Sequence, residues 1–155
     1  MREILAWGDG PLEYTHDFIQ WLFPMRERSP VNPDAPVVDD ATIAAFHADP
    51  KLRESLAAAF NRMAAFYGFE VRTASGKTSI VKSRDWPNRS ANWLTPRNHN
   101  MLRITRIITS LRLFGLDHLA QAFFAALTEL HSSVEGQAIG EVTFGFWKSA
   151  AGLRK

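Results

Sequence analysis

The stretch Asn98-His99-Asn100-Met101-Leu102-Arg103-Ile104-Thr105-Arg106-Ile107-Ile108-Thr109-Ser110-Leu111-Arg112-Leu113-Phe114-Gly115 decides the fold. Leu102, Ile104, Ile107, Ile108, Leu111 and Phe114 recur at helical spacing. Their stripe is too wide for a helix with one buried side, so the segment predicts a central helix covered from several directions. Gly115 suits the stop at its far end. At the near end Asn98, His99 and Asn100 stand where side-chain oxygens cap free amides. One asparagine suffices for capping, and three polar residues in a row exceed that need. Arg103 and Arg106 lie about one turn apart on the same helix. They suit either a guanidinium pair facing a carboxylate or phosphate, or a clasp on Asp17 or Glu13 at a buried helix edge.

Helical signals dominate on either side. Thr15 is positioned to cap a short helix running to about Phe23, where Pro24 blocks continuation. Asp39 or Asp40 caps a helix to about Ala48. Asp49-Pro50 opens a longer one carrying Leu52, Leu56, Phe60, Met63 and Phe66 or Tyr67, with Gly68 at its C-cap. Between the first two helices, the four prolines from Pro24 to Pro36 favour an extended, polyproline-like wrap. Glu70–Thr73 and Thr78–Val81 flank Ser75-Gly76 and predict a small hairpin. The remainder to Arg97 reads as a loop anchored by Trp86 and Trp93. After Gly115, Asp117 is placed to cap a helix with Leu119, Phe123, Leu127 and Leu130 inward. Ile139, Val142, Phe146 and Ala150 keep helical spacing in the tail. The expected fold is all-α: a single-domain bundle over residues 1–155, with a Pro-rich extended segment and one possible hairpin.

Bulk properties narrow the function classes. The chain has 155 residues, 46% hydrophobic and 22% charged, the composition of a globular domain able to bury a core. It has no cysteine, which excludes disulfides and thiolate metal sites and fits a reducing compartment. No apolar run approaches the roughly 20 residues of a membrane-spanning helix. Met1-Arg2-Glu3-Ile4, soon followed by Asp9, lacks the apolar centre of a signal peptide. A soluble cytoplasmic protein is the expectation. Net charge is +2, but Arg72 to Arg112 holds nine basic side chains against Asp85 alone, a local +8. Such asymmetry means either an anion-attracting face or internal pairing with the acidic remainder.

Catalytic and metal motifs are few. Gly76-Lys77-Thr78 resembles the end of a phosphate-binding loop, but the earlier glycine that loop requires falls at Val71. The histidines, His16, His47, His99, His118 and His131, have no metal-ligand spacing, so neither a metal nor a cofactor is implied. No serine sits in a nucleophile elbow. Polar residues in excess of structural need are the remaining signal. Glu13, His16, Asp17 and Gln20 recur at three- and four-residue spacing near Trp21. Capping by Asp17 and solvation of Gln20 account for part of that pattern.

These stretches carry a resemblance. Leu12-Glu13, Thr15-His16-Asp17-Phe18-Ile19-Gln20-Trp21-Leu22-Phe23-Pro24, Ser29 and Asn32-Pro33 form one block. Phe66-Tyr67-Gly68 forms a second. Asn92-Trp93, His99-Asn100, Leu102-Arg103-Ile104-Thr105-Arg106-Ile107, Leu111-Arg112 and Gly115-Leu116 form a third. Together they resemble the opioid growth factor receptor conserved-region family from about Leu12 to Leu127. Animal members are described as nucleus-associated receptors for a pentapeptide, with long C-terminal extensions. The resemblance implies a minimal, bacterial-type member that keeps a peptide- or anion-binding groove, and it carries over no catalytic residues.

The leading expectation is a binding protein for a peptide or small anionic ligand. Its site lies between the first helix and the Asn98–Arg106 helix start. The residues assigned to it are His16, Asp17, Gln20, Trp21, Asn98, His99, Asn100, Arg103 and Arg106. One alternative is nucleic-acid binding through the basic Arg72–Arg112 segment, which an exposed Trp86 or Trp93 would favour. The other is an enzyme using His16, Asp17 and His99, which requires those groups to converge.

Overall fold

The computed structural model describes residues 2–30 and 32–153. Its elements run α1 (Arg2–Leu5), α2 (Asp9–Tyr14), α3 (Phe18–Leu22), α4 (Asp40–Ala48), α5 (Pro50–Phe66), β1 (Phe69–Ala74), β2 (Lys77–Lys82), α6 (Trp86–Trp93), α7 (Asn100–Leu113), α8 (Asp117–His131), a 3-10 turn (Glu135–Ala138) and α9 (Glu141–Ala150). Among the described residues this is a helical fold with one two-stranded antiparallel sheet. None of these helices is long and apolar enough to cross a membrane.

The wide apolar stripe makes α7 the centre. α8 and α9 both pack on it. Leu56 and Phe60 of α5 join Ile104, Ile107, Ile108, Leu111 and Phe123 in one core. Leu102 departs from the stripe: it is 71% exposed. Asp39 and Asp49 cap α4 and α5 by accepting from the amides of Thr42 and Lys51, each at 2.8 Å. Gly68, at φ +90°, ends the α5 stretch in the left-handed region that glycine tolerates. The hairpin forms where its turn chemistry allows. Ser75 and Gly76 have φ of 50° and 74°, and Ala74 pairs with Lys77 across that two-residue turn. Phe69 and Ile80 anchor it to the core.

Several expectations are corrected. Residues 86–93 form α6 instead of a loop, because Pro87 sits in the first turn, where its missing N–H costs nothing. Trp86 and Trp93, seven residues apart, then share one buried face, and Trp93 Nε1 donates to the Tyr67 carbonyl at 2.9 Å. Asp117 lies inside the first turn of α8, with Leu116 at the cap position. In α9, Val142 and Phe146 are 73% and 55% exposed. The helix turns to bury Trp147 instead, whose Nε1 donates to the Met101 carbonyl at 3.0 Å.

The Pro-rich wrap folds back on itself. Val38 N donates to the Met25 carbonyl at 3.2 Å, and Asn32 N to Ser29 Oγ at 3.2 Å. Val31, within that wrap, lies outside the described residues. The helix expected from Thr15 to about Phe23 is the shorter α3, with Asp17 instead of Thr15 at its N-cap position, and Thr15 is extended backbone that ends a separate helix, α2, before it. That break leaves carbonyls without helical partners. Where they go defines the site.

Candidate functional site

Arg103 closes the break. Its Nη1 donates to the Leu12 carbonyl at 2.9 Å, and its Nη2 to the Thr15 carbonyl at 2.9 Å. The same Nη1 reaches Asn100 Oδ1 at 3.2 Å, and the guanidinium lies over the Phe18 ring, 5.1 Å from its centre. One turn on, Arg106 Nη1 donates to the Phe23 carbonyl at 3.0 Å, at the far end of α3. The two signature blocks therefore meet, but through backbone carbonyls. Among the described residues no carboxylate comes within 4 Å of either arginine, so the direct clasp on Asp17 or Glu13 does not form. Burial disfavours the charge on both, lowering both pKa values. Tyr67 and Glu13 partly offset this at Arg103, and Glu27 does so at Arg106.

Glu13 instead joins a polar chain behind the arginines. Asn100, wholly buried, donates to Glu13 Oε2 at 3.2 Å and accepts from Tyr67 Oη at 3.4 Å. His99 Nε2 stands 3.3 Å from Glu13 Oε1. The same nitrogen lies 3.4 Å from the Asn100 amide nitrogen, which can only donate, so its role depends on which of the two neighbours it pairs with. Burial and Arg103 lower the His99 pKa and outweigh the opposite pull of Glu13, so the ring is neutral at pH 7. Burial also pushes the Tyr67 phenol far up. His16 meets the His99 ring edge to face, with centres 5.3 Å apart.

In front of this chain lies a cavity of about 600 Å³, the size of a small-molecule site. His16, Ile19 and Gln20 line it from the α3 side, Met25, Glu27, Ser29 and Pro30 from the folded-back wrap. His99, Leu102, Arg103, Thr105, Arg106 and Thr109 line it from the α7 side. The hydroxyls of Thr105 and Thr109 donate back to the carbonyls of Met101 and Thr105. Of the residues assigned from sequence, His16, Gln20, His99, Arg103 and Arg106 line the cavity, whereas Asp17, Trp21, Asn98 and Asn100 do not. Asp17 is exposed at the N-cap of α3 without a capping bond. Trp21 is 50% exposed, and Asn98 caps α7 by accepting from Asn100 N at 3.0 Å.

Sequence reading missed the wall from Met25 to Pro30, which has no periodic pattern. It also missed Leu102, hidden within an apolar stripe. A second cleft of about 530 Å³ between α7 and α9 has its cation already engaged: Arg112 donates to the Ala150 carbonyl at 3.0 Å and faces Asp117 at 3.4 Å.

The alternatives fare differently. Trp86 and Trp93 are buried, so neither offers a base a stacking surface. Within the basic segment, Arg72 pairs with Glu70, Lys82 with Glu135 and Arg89 with Asp9, so much of the asymmetry is neutralised internally. His16 and His99 are adjacent, but Asp17 bonds to neither. Among the described residues no three His, Cys, Asp or Glu side chains converge as a metal site.

Comparison with known proteins gives a consistent family. The model of the opioid growth factor receptor (OGFr) conserved region matches residues 8–142. The opioid growth factor receptor of Rattus norvegicus is 39% identical over 107 residues, 69% of this chain and 18% of that protein. That of Homo sapiens is 37% identical over 107 residues, 69% of this chain and 15% of that protein. The opioid growth factor receptor-like protein 1 of Mus musculus is 32% identical over 106 residues, 68% of this chain and 22% of that protein. The match thus spans less than a quarter of the length of these relatives. No solved structure matches.

Proposed function

The chain belongs to the opioid growth factor receptor conserved-region family, and from that premise we propose that it is a receptor-like domain that binds a peptide or small organic anion in the cavity between α3 and α7. The relatives are receptors by name, which supports ligand binding as the class of function. The observation that carries the reading is Arg106. It brings a guanidinium into a mostly apolar cavity, spends one donor on the Phe23 carbonyl and meets no carboxylate within 4 Å among the described residues. A partly buried cation with donors to spare attracts an anion. Ile19, Met25 and Leu102 supply the apolar contact.

The test is a thermal-shift screen of organic acids and short peptides, each beside its amidated counterpart. Acids should raise the melting temperature and their amides should not. Arg106→Gln should abolish the shift and leave the unliganded protein folded. Equal shifts for acids and amides, or shifts that persist in Arg106→Gln, would overturn the proposal.

A further inference from the structure

Helix α9 carries apolar side chains that its own core does not use. Val142 and Phe146, about one turn apart, lie on its outer side, and Leu153 beyond its end is exposed as well. A single exposed apolar residue is ordinary, but a group of them beside a cleft marks a surface that something covers. Phe146 lines the cleft of about 530 Å³ between α7 and α9, together with Leu113 and Ala150. Thr105 and Thr109 line it too, with their hydroxyls spent on α7 carbonyls, so they add little polarity there.

The order of side chains around α9 identifies the covering surface. At about 100° per residue, Gly145, Ser149 and Val142 occupy the middle of the outer face. Phe146 borders them on the cleft flank, and Glu141 and Lys148 border them on the other. Gly145 and Ser149 are exposed, and a Cβ on Gly145 would meet no atom within 4 Å, so a second backbone can approach closely there. Glu141 faces His131 Nε2 at 3.4 Å, yet its side chain stays 88% exposed. Lys148 meets no carboxylate within 4 Å among the described residues.

Opposite charges at the two ends of one flank make a face that complements itself. A two-fold axis that sets two such helices side by side and antiparallel keeps like flank against like flank and reverses the ends. Glu141 of each copy then meets Lys148 of the other, twice over, and the two Phe146 flanks meet each other. The opposed helix dipoles favour the same arrangement. A parallel two-fold pair would set the charged flank against the apolar one.

We infer that this chain pairs with a second copy of itself through α9, antiparallel about a two-fold axis, with the exposed Val142 and Phe146 buried in the pair. A ten-residue helix is only about 15 Å long. The interface therefore lies near the lower bound of roughly 1,000 Å² for a specific contact, and the dimer is reversible. The inference does not rest on the anion-binding reading.

The experiment is sedimentation velocity of the full chain over a micromolar-to-millimolar concentration series. The wild type should pass from monomer to dimer across it. Phe146→Glu, at an exposed position, should hold its melting temperature and weaken association about tenfold or more. Glu141→Lys and Lys148→Glu should each weaken it on the order of tenfold, because two like-charged contacts replace two attractive ones. An equimolar mixture of those two variants should recover wild-type association, since each supplies the charge that the other lacks. That recovery reads the pairing itself and not the stability of either variant. A monomer at every concentration overturns the inference, as does a dimer that Phe146→Glu leaves intact. Single variants that weaken the dimer without recovery on mixing overturn it too, because Glu141 and Lys148 would then not face each other.

Discussion

Arg103 is the residue on which this fold turns, since it replaces the helical partners that α2 and α3 lack where the chain breaks at Thr15. Arg103→Ala removes three hydrogen bonds and leaves the Leu12 and Thr15 carbonyls unmet, so it should cost on the order of 3 kcal/mol in urea unfolding. Asp17→Ala, by contrast, should stay within about 0.5 kcal/mol, because Asp17 is exposed and makes neither an ion pair nor a capping bond. The pair distinguishes a carbonyl clasp from the carboxylate clasp that the sequence offered as one of two readings. His99 supplies a pH signature. Its pKa is lowered from 6.5, chiefly by burial and then by Arg103, so the unfolded chain takes up the proton first. Its contribution to stability is full above about pH 6.5 and falls as pH drops toward the folded pKa. An NMR titration should place the His99 midpoint below 6.5, and His99→Gln should flatten that part of the stability profile.

At the scale of elements, the strongest packing prediction lies on α7. Leu111 is fully buried at the centre of the core, and Leu111→Ala should cost about 2–5 kcal/mol by opening a cavity. Gly136 is a backbone contact point: a Cβ there would stand 2.0 Å from the Leu130 carbonyl oxygen. Gly136→Ala should therefore destabilise by on the order of 2 kcal/mol, measured by the same unfolding transition. The helices α5, α7 and α8 were legible in sequence because their apolar spacing runs for several turns between clear stops. The hairpin was legible from Ser75-Gly76 between the strand-like Glu70–Thr73 and Thr78–Val81. Helix α6 was not, since eight residues with a proline give little periodicity and its two tryptophans read equally well as loop anchors. The face of α9 was misread for a related reason. Val142 and Phe146 keep perfect spacing, but burying the larger Trp147 and satisfying its indole N–H outweighs both.

For the whole molecule, the sequence marked the two blocks that meet but not the path by which they meet. Excess polarity picked out His16, Gln20, His99, Arg103 and Arg106, which line one cavity, and equally Asp17, Trp21, Asn98 and Asn100, which do not. Polar excess cannot separate a residue facing a cavity from one capping a helix, because the distinction depends on how α3 tilts against α7. The wall from Met25 to Pro30 depends on a fold-back held by the Val38 amide and the Met25 carbonyl, a tertiary contact with no local signature. The basic segment, which suggested a nucleic-acid face, is drawn inward by pairs such as Arg89 with Asp9, joining the chain's acidic and basic portions. The most direct test of the cavity as a ligand site is chemical-shift mapping of the isotope-labelled chain titrated with N-acetyl-leucine. The account predicts saturable shifts concentrated at His16, Gln20, His99, Leu102 and Arg106, lost in Arg106→Gln. Shifts confined to the hairpin or to α9, or no shifts at all, would contradict it.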